Sequence, residues 1–405
     1  MNLLPRDVMV FIDPSYSVFY DNEMFKATSR WNRDGQFAPF IFLREKLAKE
    51  GISVNTADYL LDHRMSGRLN VYVSQGIIDN YKELANHNNV RLQSFYVLEP
   101  PVVAPHLYRE IGDLTRCFDR VYVHNAEGMG YERHFSHQSN LRKFFWPQVE
   151  NGVIEHLWNN KDRGFLTMII SNKTALPYLQ VRRGQNPIGL RVSRNRSPGL
   201  KDSELYSERI RALVALRRLG NVDLYGHGWD ISTYRILRNL PYSQSFPYMY
   251  WRNRRALRAV YEGPVKSKYE TLSRYRFALC FENMAMPGYI TEKIFDCFFV
   301  GTIPIYLGAP DVVKYIPKSC FIDMRDLDDY AGLHAYLTNL SDEDISSFRE
   351  AAREYLSSAE YQPFTKEKFV EQFEADLMET LKANGVSLPG LGVSKNSTKE
   401  RSEVE

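Results

Sequence analysis

The sequence predicts an α/β protein of two domains, each a parallel sheet layered with helices. Three observations carry that expectation. The chain has 405 residues, more than a single core organises on a scale of ~100–200 residues per domain. Short apolar runs alternate with longer helix-like ones, the pattern of β–α–β units. The chain also turns polar between Trp158 and Gly164, and a new apolar run starts at Phe165. The domains are therefore expected at 1–160 and 161–385, followed by a polar, disordered tail at 386–405.

In the first half, Val8–Ile12 reads as a strand, Phe40–Glu50 as a helix closed by Gly51, and Ile52–Ala57 as the start of a second unit. Val71–Val73, Arg91–Leu98 and Arg120–His124 are further strands, with Pro105–Cys117 helical between the last two. In the second half, Asp202–Leu219 is a helix stopped at Gly220. Val222–Tyr225, Tyr275–Glu282 and Thr302–Tyr306 are strands; Thr291–Val300, Asp342–Ser357 and Lys366–Ala383 are helices. No GxGxxG occurs, so a nicotinamide-type dinucleotide fold has no support. Ligands of open α/β sheets sit beyond the carboxyl ends of the strands, which makes the seam between the domains the expected site.

Composition narrows the function classes. A hydrophobic fraction of 44% with 25% charged residues is that of a globular protein rather than a disordered one. A net charge of +3 argues against a protein held mainly by nucleic-acid phosphates. The arginines at Arg182-Arg183, Arg191–Arg196 and Arg252–Arg258 keep a polyanion-binding reading as the alternative from a different class. No apolar run approaches the ~18 residues of a membrane span. Asp7 and Asp13 flank the first apolar run, which reads as a strand and not as a secretory leader. Cys117, Cys280, Cys297 and Cys320 form no CxxC pair and read as buried thiols. No metal site is expected; the acidic run Asp323–Asp329 reads as a loop and helix start. Thiols without a leader point to the cytoplasm, with attachment to the inner membrane left open, and the sequons at Asn172, Asn195, Asn339 and Asn396 then carry little weight.

The most informative stretch runs from Tyr275 to Pro310. A buried strand delivers Glu282 and Asn283 to its carboxyl end, and a loop through Pro287, Gly288 and Tyr289 leads to Thr291, a helix N-cap type. Glu292 suits the first helical turn, whereas Lys293 opposes the helix dipole. A lysine there is explained if an anion rests at the helix N-terminus, shared by ammonium and backbone N–H groups. A solvated lysine, with Glu282 and Asn283 as turn residues, is the plain alternative.

The pattern Phe281-Glu282-Asn283, then Tyr289-Ile290-Thr291-Glu292-Lys293, resembles the donor-binding motif of the α-1,3/1,4-fucosyltransferases. The resemblance continues through Phe295-Asp296, Gly301–Gly308, Pro310, Ile316-Pro317 and Phe321-Ile322. It implies a GT-B fold, two Rossmann-like domains facing each other across a cleft. It implies an inverting transfer of fucose from GDP-fucose to a hydroxyl of a glycan or lipid-linked glycan, the 3-OH of a GlcNAc- or Glc-type residue. No cofactor is required in that scheme, and nucleic acid is not a partner. Another GDP-sugar is the nearer alternative donor.

Carried over by position, Lys293 contacts the diphosphate, and Asn283, Tyr289 and Glu292 line the donor pocket. Ser171-Asn172 resembles the start of the family's donor domain, and Arg209 its phosphate-binding arginine, with Arg211 competing. Gly226 and Gly228 allow close approach to a ligand or form a turn. The family's glutamate base follows a strand of the first domain; Arg120–Gly128 has that form, which makes Glu127 the candidate base and His124 its competitor.

Overall fold

A computed structural model of the chain describes residues 4–126, 140–172, 204–220, 222–230 and 245–386. The tail from 387 onward and the basic stretch 181–201 lie outside these residues.

The first domain is a six-stranded parallel sheet in the order β2-β1-β3-β4-β5-β6. Its strands are β1 (Val8–Asp13), β2 (Ser53–Thr56), β3 (Leu69–Ser74), β4 (Val90–Tyr96), β5 (Arg120–Val123) and β6 (Leu141–Lys143). β3 is buried at every position, as a strand covered on both faces must be. Helices α1 (Ala38–Lys49) and α2 (Pro105–Cys117) are two of its crossovers.

The second sheet, also parallel, runs β12-β11-β10-β7-β8-β9. It comprises β7 (Gly164–Ile169), β8 (Asp223–Tyr225), β9 (Tyr261–Gly263), β10 (Tyr275–Phe281), β11 (Ile303–Leu307) and β12 (Ile322–Asp323). Counted within the domain this is the doubly wound order 3-2-1-4-5-6, whose switch point lies between β7 and β10. Helices α3 (Tyr206–Leu219) and α4 (Ser245–Arg258) follow β7 and β8. The short α5 (Lys268–Leu272) precedes β10, and α6 (Glu292–Val300) connects β10 to β11. α6 buries Phe295, Phe298 and Phe299 almost completely, each contributing roughly 1.5–3 kcal/mol through apolar burial. It stops at Gly301, whose φ of 69° is the left-handed C-cap conformation that glycine adopts without strain.

Helices α7 (Tyr330–Asn339) and α8 (Asp342–Leu356) complete the second domain, and α8 opens with a Ser341–Asp344 capping box. The last helix, α9 (Lys366–Ala383), behaves differently from its place in the sequence. Val370, Phe373, Leu377 and Leu381 join the core of the first sheet with Val10, Leu43 and Leu47. Asp376 accepts from Tyr122 and pairs with Arg120 at 3.1 Å. The chain thus crosses back and ties the domains together.

Of the four cysteines, Cys280, Cys297 and Cys320 are buried and Cys117 is exposed; all are free thiols. Among the described residues no helix is long and apolar enough to cross a membrane.

Candidate functional site

A cleft of about 430 Å³ lies between the carboxyl ends of the two sheets. One wall is built at the switch point. β10 ends at Phe281, so its next residues, Glu282 and Asn283, emerge where β7 delivers Ile170 and Ser171. The peptide then loops through Gly288 and returns as α6, bringing Glu292 and Lys293 beside them.

All five predicted donor residues, Arg209, Asn283, Tyr289, Glu292 and Lys293, line this cleft. Arg209 comes from the first turns of α3. It is buried, donates through Nη2 to the Phe281 carbonyl (2.7 Å) and to Asn283 Oδ1 (3.1 Å), and stacks over the Tyr206 ring. Its Nε has no hydrogen-bond partner, and no carboxylate among the described residues pairs with it. Burial lowers its pKa, an effect opposed by Tyr206 and Glu282. Asn283 in turn donates to the Tyr289 hydroxyl at 3.2 Å. The competing Arg211 points away, exposed and paired with Glu208.

Lys293 departs from the expectation of a cation awaiting an anion. Its ammonium turns back to Glu282, 2.9 Å away and fully buried, and to the Thr291 hydroxyl at 2.8 Å, with Glu292 at 3.6 Å. Thr291 makes no side-chain cap bond; its backbone N–H and hydroxyl both engage Glu282. The carboxylates hold the lysine charged: burial lowers its pKa, but Glu282 and Glu292 raise it above its ordinary value. Conversely, burial would raise the Glu292 carboxyl, yet Lys293 and Lys268 bring it down to about 2. Lys293 therefore borders the cleft already compensated, whereas Arg209 has no carboxylate in salt-bridge contact among the described residues.

A second charged cluster was not legible in the sequence. Lys268, the first residue of α5, pairs with Asp296 of α6, and its backbone N–H donates to Asp34 of the first domain at 3.0 Å. Burial raises the Asp296 carboxyl to about 6 despite Lys268.

From the first domain come Tyr16, Phe19, Arg33, Asp34, Glu99 and Trp146. Glu99 lies three residues beyond the end of β4, at the carboxyl end that faces the second domain, and no local pattern in the sequence marks it. Tyr16 is half exposed and meets Phe19 edge-on, an aromatic surface opposite the donor wall. Glu127 lies outside the described residues. His124 is buried, its Nε2 bonded to the Leu98 carbonyl (2.9 Å), and burial together with Lys143 lowers its pKa to about 3. It packs against Phe144 and Tyr289, and the shift leaves it neutral near pH 7. Gly226 and Gly228 have φ of 130° and 84°, and a Cβ on Gly226 would collide with the Ile170 carbonyl. The first glycine therefore serves strand-to-loop packing. Asn172 fixes the same corner by donating to the Gly228 carbonyl at 2.9 Å. Among the described residues no three His, Cys, Asp or Glu side chains are grouped to hold a metal ion.

The family model "Glycosyltransferase family 10 (fucosyltransferase) C-term" matches residues 201–359, which span α3 to α8 and the whole donor wall from Arg209 to Lys293. The match covers less than half of the chain. The chain is similar in sequence to curated proteins over short stretches. An α-(1,3)-fucosyltransferase of Helicobacter pylori is 48% identical over 66 residues, 16% of this chain and 14% of that protein. α-(1,3)-Fucosyltransferase 4 of Mus musculus is 39% identical over 87 residues, 20% of each chain. The matches thus span a fifth or less of these relatives' length. A solved α-glucosyltransferase in complex with UDP and a 13-mer DNA aligns over 91% of this chain and 99% of its own, at 13% identity and a TM-score of 0.53. The chain accordingly has a two-domain GT-B fold, and the matched segment lies in its second half.

Proposed function

We propose that the cleft binds GDP-fucose and transfers fucose, with inversion, to a hydroxyl of a glycan held against the first domain. The observation that carries this reading is Arg209, a buried guanidinium with an unpartnered Nε and, among the described residues, no paired carboxylate, set at the switch point beside Lys293. A buried charge of that kind costs several kcal/mol unless an anion meets it. A nucleotide diphosphate supplies one, and transfer needs charge there, because the departing diphosphate gains negative charge as the sugar leaves. The choice of fucose and guanosine rests on the family description and on the relatives' names.

In this scheme Arg209 takes up the leaving group's charge, with Lys293, held by Glu282, adding its N–H donors at the edge, and the scheme calls for no metal ion. Asn283 and Tyr289 hold Arg209 in place, while Glu292, ionised at any ordinary pH, faces positive charge developing on the sugar ring. The base must come from the opposite wall. Glu127 is one candidate; Glu99 is the other, supported by its place at the end of β4 in the cleft. Tyr16 and Phe19 offer ring faces against which an acceptor sugar stacks.

The test is an NMR time course of GDP-β-L-fucose with the protein, a glycan panel and, as minimal acceptor, water. α-Anomeric fucosyl product or initial α-fucose is expected. β-Anomeric product would overturn inversion, and unchanged donor would overturn the activity.

A further inference from the structure

The donor loop is held in place from the other domain. Lys143, the last residue of β6, sends its ammonium across the seam to the Gly288 carbonyl (2.9 Å) while also donating to the His124 carbonyl at the end of β5. The ammonium lies over the rings of Phe145 (4.9 Å) and Tyr315 (5.1 Å), one from each side of the seam. Gly288 has φ of 72°, and a Cβ there would collide with the His124 carbonyl, so the loop sits flush against the first domain. The next residue, Tyr289, meets the His124 ring edge-on with centroids 4.8 Å apart. Asn283 donates to the Tyr289 hydroxyl, and Arg209 donates to Asn283 Oδ1.

These contacts form a continuous path from the first domain to the cation at the switch point. We propose that Lys143 is a positioning residue for the nucleotide: by fixing Gly288, it sets Tyr289, hence Asn283 and the aim of Arg209. The proposal rests on the nucleotide-binding reading above and adds that donor affinity is controlled from the acceptor-side domain. Its physical basis is that a charge-assisted bond to a carbonyl, in a site partly shielded from water, resists displacement. A loop freed from that bond samples conformations in which the Tyr289 hydroxyl no longer orients Asn283, and the binding-competent fraction falls.

The experiment is a calorimetric titration of the full chain with GDP, in a double-mutant cycle. Lys143→Met is expected to weaken GDP binding by a factor within the roughly 5–150-fold range of site-to-site coupling. Lys143→Arg, which keeps the charge and a donor, is expected to restore most of it. In a Tyr289→Phe background, where the hydroxyl relay is already cut, Lys143→Met is expected to add less than about two-fold, within the additivity error of such cycles. A merely structural lysine would instead lower the melting temperature and add its full effect in both backgrounds, which would overturn the proposal. If Lys143→Met does not fold, Lys143→Gln, which removes the charge and keeps a donor, takes its place in the same cycle, with the same loss expected in the wild-type background and less than about two-fold in Tyr289→Phe. GDP bound equally well by wild type and Lys143→Met would also overturn it. Failure of the wild-type chain to bind GDP would overturn the nucleotide reading itself.

Discussion

Replacing Arg209 with methionine separates binding from folding more cleanly than any other change at this site. The guanidinium donates to Phe281 O and Asn283 Oδ1 at 2.7 and 3.1 Å. Hydrogen bonds from a charged donor are worth about 1.5–3 kcal/mol each, so their loss costs about 3–6 kcal/mol. Against this stands relief of a buried, uncompensated charge, itself several kcal/mol. Methionine also fills much of the vacated volume and keeps contact with Tyr206. The opposing effects leave folding stability within about 2 kcal/mol of wild type. Nucleotide binding has no such offset. Removing one partner of a buried charge pair costs about 2–5 kcal/mol, which weakens GDP roughly 30-fold to several thousand-fold. The assay is calorimetric titration with GDP, paired with thermal melting with and without nucleotide. A saturating ligand raises stability by about 2.7 kcal/mol at one hundred times Kd, and Arg209→Met is expected to lose that increment while melting near wild type alone. An unchanged Kd would refute the reasoning, as would a collapse in stability with normal affinity in the folded fraction.

Lys293→Ala removes the partner of the fully buried Glu282, so it should destabilise the fold by about 3–5 kcal/mol in addition to weakening GDP; denaturant unfolding of the Lys293→Ala/Glu282→Gln pair should show stability regained without binding. If Glu99 is the base, Glu99→Gln should leave GDP affinity near wild type and lower turnover at least ~100-fold, while Glu127→Gln stays active; single-turnover assays that show the reverse assign the role to Glu127. Burial holds His124 neutral and unfolding lets it take a proton, so full stability is kept well above pH 6.5 and falls as pH drops toward its folded pKa of about 3. This amounts to roughly 2–3 kcal/mol between pH 6.5 and 4.5. Urea unfolding across that range should show a shallower slope in His124→Asn; an identical slope would mean the imidazole is not buried neutral.

What the sequence reveals depends on whether an element's signal is local. β10 is legible because its apolar run is unbroken from Phe277 to Phe281, and α9 because Val370, Phe373, Leu377 and Leu381 repeat at helical spacing. Amphipathicity does not say which sheet a helix covers, and α9 returns to the first domain. The two- and three-residue strands β6, β9 and β12 are too short for a periodicity to register. At the site, the donor wall from Glu282 to Lys293 is legible because one strand–loop–helix carries it. Glu99 and Lys143 are not, because each acquires meaning only across the seam; Lys143 and Gly288 stand 145 positions apart in sequence. The buried pairing of Lys293 with Glu282 likewise needed coordinates, since a first-turn lysine alone cannot show where its ammonium turns.

The central claim, that this cleft is built for a guanosine-diphosphate sugar, is tested most directly by titrating the purified chain with GDP, GDP-fucose, GDP-mannose and UDP by calorimetry without added metal. The account predicts saturable binding of GDP and GDP-fucose with UDP far weaker. Binding of none of the four, or of UDP in preference to GDP, would contradict it.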